Sequence, residues 1–164
     1  MKKIIVTGGS GFIGTNLVNY LLKKNKFVIN IDKLTYSSNN YVEKKRNKKN
    51  YRFFKVDIKN KKRLIQIIKR YKPHVIFNLA AETHVDRSID NPESFINTNI
   101  VGVYNLLESI RYFKNKIKIK LVHISTDEVY GDIYGNKRSD EKFNYNPSSP
   151  YSASKASADH LVKS

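Results

Sequence analysis

The chain has 164 residues, of which 40% are hydrophobic, and this is enough for one folded domain with a real core. It contains no cysteine, which excludes disulfides and thiolate metal sites and is typical of a reducing compartment. No apolar run approaches the length of a membrane span, and residues 4–6 are too short for the core of a signal peptide. We therefore expect a soluble, cytoplasmic protein.

The formal charge of +17 raises nucleic acid as a possible partner. The excess lies in lysine-rich stretches at residues 23–26, 44–49, 59–63 and 114–120, without the aromatic and arginine pattern that stacks on bases. We interpret these stretches as solvated surface. A weak, salt-sensitive affinity for polyanions still follows from the charge.

A glycine-rich turn follows the first predicted strand, residues 2–7. Gly8, Gly11 and Gly14 lead into a helix whose apolar face includes Ile13 and Leu17. Such a turn lets a pyrophosphate approach the backbone, and the free N–H groups and dipole of the helix favour its charge. Glycines also make ordinary turns, but here the strand and the helix that the dinucleotide fingerprint requires are both predicted.

The second predicted strand, residues 27–31, ends at Asp32, about 20 residues beyond the glycine turn as in dinucleotide-binding folds. A carboxylate at this point accepts from ribose hydroxyls and repels a 2′-phosphate, which favours NAD over NADP. The neighbouring Lys33 weakens this preference. The alternative is an aspartate that merely forms the turn at the strand end.

Two further strands end in candidate cofactor residues. After a polar, basic loop (35–50), residues 51–56 form a strand that leads into Asp57 and Ile58, an edge suited to an adenine ring or to a simple turn. A helix over 60–71 and a fourth strand over 74–79 follow. Ala80 and Ala81 leave room for a nicotinamide or its ribose, or for tight helix packing. His84 has no metal-ligating partner at suitable spacing, so no metal site is predicted.

A long helix is predicted to start with Asn91 as its N-cap and Pro92 as its first residue. Asn99 lies within its apolar face, so it should be buried and hydrogen-bonded, either bracing neighbouring loops or touching the cofactor. The residues of that face are Phe95, Ile96, Ile100, Val103, Leu106, Leu107 and Ile110.

A fifth strand begins at Leu121 and ends in Thr126, Asp127 and Glu128. Ligands in open α/β sheets bind at the carboxyl ends of strands, so these polar groups are candidates for chemistry. Ser, Thr and Asp also leave strands because they cap the next helix.

Tyr151 and Lys155 are four residues apart on the final predicted helix and share one face. A lysine ammonium near a phenol lowers the tyrosine pKa, which makes the phenol a usable base. The same pattern is common by chance, and it gains weight from the nucleotide loop upstream and from Thr126 as a third hydrogen-bonding group.

Strand and helix alternate along the chain, which predicts an α/β fold: a Rossmann-type doubly wound parallel sheet with helices on both faces. The motifs resemble those of the extended short-chain dehydrogenases/reductases, the NAD-dependent epimerases and dehydratases, and within them the dTDP-glucose 4,6-dehydratase family. They are TGGSGFIG (7–14), DKLTY (32–36), LAAETHVDRSI (79–89), STDEVYG (125–131) and YSASK (151–155).

The resemblance implies NAD as cofactor and an internal redox dehydration of dTDP-glucose to dTDP-4-keto-6-deoxyglucose. Tyr151, assisted by Thr126 and Lys155, would take the 4-hydroxyl proton while hydride passes from C4 to NAD⁺. Glu128 would remove the C5 proton as Asp127 protonates the departing 6-hydroxyl, and the hydride returns to C6. Adjacent acids in a dry site can reach opposite protonation states because their pKa values shift apart.

The resemblance also implies a wider binding site and a homodimer through the helices near 92–113 and 151–164. It assigns His84, Thr126, Asp127 and Glu128 to the substrate. It assigns these residues to NAD: Gly8, Gly11, Phe12, Ile13, Gly14, Asp32, Lys33, Thr35, Asp57, Ile58, Leu79, Ala80, Ala81, Thr83, Asn99, Tyr151 and Lys155.

Members of this family continue well beyond the Tyr-Lys helix. We therefore expect residues 1–164 to be an incomplete NAD-binding domain without the C-terminal substrate region, binding NAD weakly and turning over little substrate alone. Two alternatives stay open: another NAD-dependent nucleotide-sugar epimerase or dehydratase, and a non-catalytic module that binds nucleotides or polyanions.

Overall fold

The computed structural model describes residues 1–39, 49–135 and 138–164. Most of the predicted basic loop, residues 40–48, lies outside the described residues. The strands are β1 (Lys3–Thr7), β2 (Phe27–Asp32), β3 (Tyr51–Lys55), β4 (Val75–Asn78) and β5 (Lys120–His123). The helices are α1 (Phe12–Lys23), α2 (Lys61–Tyr71), α3 (Val85–Asp90), α4 (Pro92–Phe95), α5 (Val103–Arg111) and α6 (Pro150–Lys163). A π-helical segment (Ile96–Gly102) joins α4 to α5, and Asp127–Tyr130 form a 3₁₀ turn.

The strands form one parallel sheet in the order β3-β2-β1-β4-β5. Ile5 at its centre pairs with Ile29 on one side and with Ile76 on the other. All three are β-branched and almost fully buried, which suits a strand covered on both faces. The predicted fold class is confirmed.

Helices pack on both faces of this sheet. Side chains alternate along a strand, so Ile5 and its neighbour Val6 point to opposite faces. Ile5 packs in a cluster with Leu64 of α2 and Leu106 of α5, whereas Val6 packs with Val18 of α1. The strand periodicity thus places α1 against one face and α2 with α5 against the other, as predicted for a doubly wound sheet.

Two local predictions of buried side chains are wrong, and one prediction of a helix cap is confirmed in its position. Ile13 was expected on the apolar face of α1, but it is 62% exposed in the first turn. Asn91 is the N-cap of α4 and Pro92 follows it, as predicted, although the Asn91 side chain makes no capping hydrogen bond. Ile96 is 50% exposed because the π-helical segment beginning there changes the phase of the helix, so the 3.6-residue periodicity misassigns its inward face.

The described chain divides into two compact units. Unit 1 comprises residues 1–80 and 105–124 and contains the whole sheet. Unit 2 comprises residues 81–104 and 125–164 and contains α3, α4, the π-helical segment, the 3₁₀ turn and α6. Within the described part of the chain, none of the helices has both the length and the apolar character that a membrane crossing requires.

We predict that Gly14→Ala destabilises the chain by about 1–3 kcal/mol, because overpacking against backbone costs more than the gain in helix propensity. A Cβ at Gly14 would meet the Gly8 carbonyl oxygen at 2.1 Å. Urea unfolding measures the loss.

Gly11→Ala is the matched control, since its Cβ would lie 3.5 Å from the same oxygen, an ordinary contact. It removes no side-chain cap and should cost less than about 1 kcal/mol. Equal losses in both variants would show that the close packing of Gly14 is not what matters.

Candidate active site

The glycine turn of unit 1 has the chemistry of an anion site. Gly8 adopts a positive φ of 68°, and its N–H donates to the Ile31 carbonyl. The first main-chain hydrogen bond of α1 is donated by Thr15 to Gly11, so the amides at 12–14 precede it, and no side chain caps them. The first turn also contains no acidic residue. Backbone donors and an unopposed helix dipole therefore fit a pyrophosphate.

Asp32 lies at the carboxyl end of β2 and is buried. Its carboxylate accepts from the backbone N–H groups of Ser10 at 2.9 Å and Leu34 at 2.8 Å, and from the hydroxyl of Ser38 at 3.4 Å. A carboxylate offers about four acceptor positions, so one remains for a ribose hydroxyl. Asp32 thus also performs the turn-forming role that was its alternative interpretation.

The other cofactor candidates of unit 1 differ in what they can present. Phe12 is 83% exposed, like its exposed neighbour Ile13. The Asp57 carboxylate accepts from the Lys59 N–H at 2.8 Å, which is the turn geometry weighed against adenine binding. Ile58 is buried in the core, so only its backbone is open to a ligand.

The remaining candidates of unit 1 lie beside the two strand ends. Lys33 is partly buried, and the Thr35 hydroxyl lies 2.9 Å from that of Ser37. Leu79 and Ala80 follow β4, where the N–H of Ala80 donates to the Thr7 hydroxyl at 3.4 Å. A Cβ at the glycine in position 8 would meet the Ala80 nitrogen at 2.6 Å, so the two turns touch through backbone.

In unit 2, Thr126 is the N-cap of the 3₁₀ turn, and its hydroxyl accepts from the Glu128 N–H at 3.3 Å. Capping, one of the two interpretations of this stretch, is therefore correct. It does not exhaust the chemistry, because the same hydroxyl also acts on the Tyr151 phenol and lowers its pKa. The turn buries only Val129 and leaves Asp127 and Glu128 exposed, so the expected dry surroundings of the two acids are wrong for this chain.

Glu128 is nevertheless affected by its surroundings and by Asp127. Partial burial of the Glu128 carboxyl group raises its pKa, and the negative charge of Asp127 raises it further. A carboxylate with a raised pKa is a stronger base.

Tyr151 lies in the first turn of α6, which Ser149 and Ser152 cap reciprocally. Its phenol is half-buried, and its ring packs edge-on against Phe95 at 6.2 Å between centroids. The pKa of Tyr151 is raised, first by burial and then by the charges of the two acids, while the hydrogen bond from Thr126 lowers it. The predicted lowering is therefore wrong, because desolvation of the phenolate dominates.

Lys155 is only 5% exposed on the same helix. Burial lowers the pKa of its ammonium, and the negative charge of Asp159 one turn later raises it. The sequence predicted the shared helix of Tyr151 and Lys155 but not this burial.

Asn99 makes the hydrogen bonds that its predicted burial requires. Its side-chain oxygen accepts from the Glu82 N–H at 2.9 Å, and its amide donates to the Glu82 carbonyl at 3.0 Å. The amide also donates to the Ser154 hydroxyl at 2.9 Å, which donates in turn to the Tyr151 carbonyl at 2.7 Å. Asn99 therefore braces the loop after β4 against α6, which was one of its two predicted roles.

Near that loop, the structure places the last three candidates at the surface of unit 2. Ala81 is partly buried, whereas Thr83 is exposed. His84 is exposed and has a positive φ of 80°, an uncommon conformation for a side-chain residue. It is the N-cap of α3, but its side chain makes no capping bond.

Two supporting residues escaped the sequence analysis. Ser88 is fully buried on α3, and its hydroxyl accepts from the Tyr151 N–H at 3.0 Å. Asp159 accepts from the hydroxyls of Ser125 and Tyr145. Ser88 lies inside the HVDRS motif and Asp159 is four residues after Lys155, so both positions could have been singled out from the sequence. Neither position, however, indicates which residue the side chain contacts.

A parallel sheet of order 3-2-1-4-5, with a glycine turn after its first strand and an acid ending its second, defines a Rossmann-type dinucleotide-binding fold. The family model described as GDP-mannose 4,6 dehydratase matches residues 5–164. The chain therefore belongs to the GDP-mannose 4,6-dehydratase family, and the predicted resemblance to nucleotide-sugar dehydratases is confirmed.

Relatives and solved structures agree with this assignment. The dTDP-glucose 4,6-dehydratase of Haemophilus influenzae is 46% identical over 99% of this chain and 51% of its own length. The Bacillus anthracis enzyme of the same name, solved with NAD, is 43% identical with a TM-score of 0.86, over 98% of this chain and 49% of that one. UDP-glucose 4-epimerase from Thermus thermophilus, also with NAD, is 31% identical with a TM-score of 0.85, over 98% and 50%. The chain spans about half the length of the curated relatives it matches.

We predict that Ser88→Ala destabilises the chain by about 1–2 kcal/mol, because it leaves the N–H of Tyr151 without its acceptor in a buried position. The loss is read from the midpoint and slope of urea unfolding.

Ser157→Ala serves as the control, since the Ser157 hydroxyl only donates to the Ala153 carbonyl one turn back on α6. That substitution should be neutral or slightly stabilising, because alanine is the better helix former. A Ser88→Ala variant as stable as Ser157→Ala would contradict the bracing role.

Proposed function

We propose that this chain forms the cofactor-binding and catalytic part of an NAD-dependent dTDP-glucose 4,6-dehydratase. The observation that carries the proposal is the turn of unit 2 that Thr126 caps: two acids follow Thr126 directly, and its hydroxyl lowers the pKa of Tyr151. A hydroxyl, a phenol and a carboxylate pair are the groups that an oxidation followed by loss of water requires. Relatives named dTDP-glucose 4,6-dehydratase support the choice of substrate.

The residues of unit 1 fit NAD. The backbone donors of the glycine turn would hold the pyrophosphate, and Asp32 would accept from the adenosine ribose. Bound NAD⁺ supplies a reversible hydride acceptor. In unit 2, the ammonium of Lys155 would bind the nicotinamide ribose.

Tyr151 is the proposed base toward the sugar 4-hydroxyl. Since its pKa is raised, the phenol keeps its proton at neutral pH in this arrangement. Thr126 already stabilises the phenolate by its hydrogen bond. The positive charge of Lys155, brought close to the phenol oxygen during the reaction, would supply the rest of the activation.

Glu128 and Asp127 are the proposed dehydration pair. Glu128 has the raised pKa, and as a carboxylate it would remove the C5 proton once the 4-ketone has acidified it. Asp127 would protonate the leaving 6-hydroxyl. Closure of the site around the sugar would be needed to give the two exposed acids the dry surroundings that separate their protonation states.

A nucleotide-sugar epimerase is the second candidate. The chain superposes about as well on the Thermus thermophilus UDP-glucose 4-epimerase as on the Bacillus anthracis dehydratase, so the fold does not discriminate. The resemblance does, because related 4-epimerases usually carry small or hydroxyl residues in place of Asp127 and Glu128.

A homodimer and a cytoplasmic location complete the proposal. The dimer would use the helices near 92–113 and 151–164, and three residues of unit 2 in the first range, Ile96, Val101 and Tyr104, are exposed apolar or aromatic side chains. Light scattering on the purified chain decides between one and two copies.

We predict that the chain binds NAD in preference to NADP and that Asp32→Asn reduces NAD affinity by about tenfold while narrowing that preference, because the amide neither repels a phosphate nor accepts as strongly. Isothermal titration at low and high salt measures both constants.

Asp90→Asn on the exposed end of α3 is the charge-matched control and should leave both affinities unchanged. Binding that disappears at high salt, and that ignores Asp32→Asn, would identify a generic basic surface instead of a nucleotide site.

We predict that prolonged incubation with NAD and dTDP-glucose in D₂O gives slow deuterium incorporation at C5 of the sugar, and that Glu128→Gln abolishes it because the amide cannot act as a base. Mass spectrometry of the recovered sugar measures the label.

Asp140→Asn, at an exposed position outside the site, is the control and should leave incorporation intact. Accumulation of a C4 epimer without C5 label would favour the epimerase.

A further inference from the structure

Asp159 is a buried carboxylate to which the proposed reaction gives no role. It is 7% exposed on α6, and its Oδ2 accepts from the hydroxyls of Ser125 and Tyr145. A carboxylate can stay ionised in such a place only where donors and positive charges offset the loss of water. The groups that surround Asp159 therefore indicate which side chains its negative charge stabilises.

The first of these groups is Lys155, four residues earlier on the same helix. Lys155 is buried, and burial lowers the pKa of its ammonium while the negative charge of Asp159 raises it. Opposite charges at this spacing attract, and burial reduces the screening of that attraction by water.

The second group is Ser125, which directly precedes the Thr126–Glu128 turn. Ser125, which donates to Asp159, directly precedes Thr126, whose hydroxyl lowers the pKa of Tyr151. The residue before the turn is thus attached to α6 through the carboxylate of Asp159. Fixing Ser125 limits the positions that Thr126 can take.

The other titratable groups around Asp159 belong to an aromatic cluster. Tyr145 donates to Asp159 at 3.0 Å and accepts from the Lys163 ammonium at 3.1 Å. The Tyr145 ring also lies 5.4 Å from that of Tyr130 and 5.3 Å from that of His160. Lys163 is a second cation near the carboxylate, but it is exposed. Water therefore screens its attraction to Asp159 more strongly than it screens the attraction between Asp159 and the buried Lys155.

We propose that Asp159 is a positioning residue, which holds the Thr126–Glu128 turn through the hydrogen bond from Ser125 and places a negative charge one helical turn from the buried ammonium of Lys155. Asp159 touches neither cofactor nor substrate in this role. It acts through Lys155 and Thr126, and its value for catalysis rests on the proposed function of those two residues. A purely structural role would need only the hydrogen bonds and not the charge.

Asp159→Asn separates the two contributions, because asparagine keeps an acceptor for Ser125 and Tyr145 but carries no charge. We expect the pKa of Lys155 to fall in this variant. NMR of ¹³Cε-labelled lysine follows the titration, and the resonance of Lys155 is assigned by its absence from the Lys155→Arg variant. NAD affinity should fall about tenfold. Ser125→Ala, which removes one hydrogen bond and keeps the charge, should leave the pKa of Lys155 in place.

Asp159→Glu keeps the charge, so it should hold the pKa of Lys155 closer to that of the unsubstituted chain than Asp159→Asn does, and it provides the comparison if the asparagine variant does not fold. An unchanged pKa of Lys155 in Asp159→Asn, or its fall in Ser125→Ala alone, would overturn the proposal. The lysine titration is measured without NAD, so it stands whether or not the chain proves to be a dehydratase. NAD titration of the unsubstituted chain tests that function separately.

Discussion

The hydrogen bonds of the Asn99 side-chain amide are the interactions on which the rest of unit 2 depends. The amide pairs with both the N–H and the carbonyl of Glu82, as a neighbouring strand would, and it reaches Ser154 on α6 with its second proton. A buried amide satisfied in this way is costly to replace, because removing it leaves several buried polar groups without partners. The loop after β4 and the helix of Tyr151 are thereby held by one side chain.

The π-helical segment explains how Asn99 comes to point inward. Residues 96–102 follow an i→i+5 pattern between two stretches of α-helix, and Thr98, Asn99 and Gly102 are buried there while Ile96 is exposed. Such segments are frequent at functional sites, where they re-aim a side chain that a regular helix would place elsewhere. In this chain the segment leaves the apolar side chain of Ile96 exposed and buries Asn99, whose hydrogen bonds brace the loop after β4.

Burial is the largest single influence on the pKa values of Tyr151 and Lys155. It raises the pKa of Tyr151 and lowers that of Lys155, so both side chains are biased toward their neutral forms. Hydrogen bonding from Thr126 and the charge of Asp159 oppose these shifts. The protonation of Tyr151 and Lys155 thus depends on whether burial or these opposing interactions prevail when the surroundings of the phenol and the ammonium change.

The sequence alone determined the sheet, the glycine turn, the acid at the end of β2 and the sharing of one helix by Tyr151 and Lys155, because each follows from local periodicity or spacing. It also suggested both roles of Thr126. Only the tertiary structure decided that Asn99 braces Glu82 and Ser154, that Ser88 supports Tyr151, and that Asp159 faces Ser125. These contacts join residues far apart in the chain, and burial, which depends on all of them at once, reversed the predicted direction of the Tyr151 pKa. Desolvation is a property of the packed structure, and no spacing of residues along a sequence specifies it.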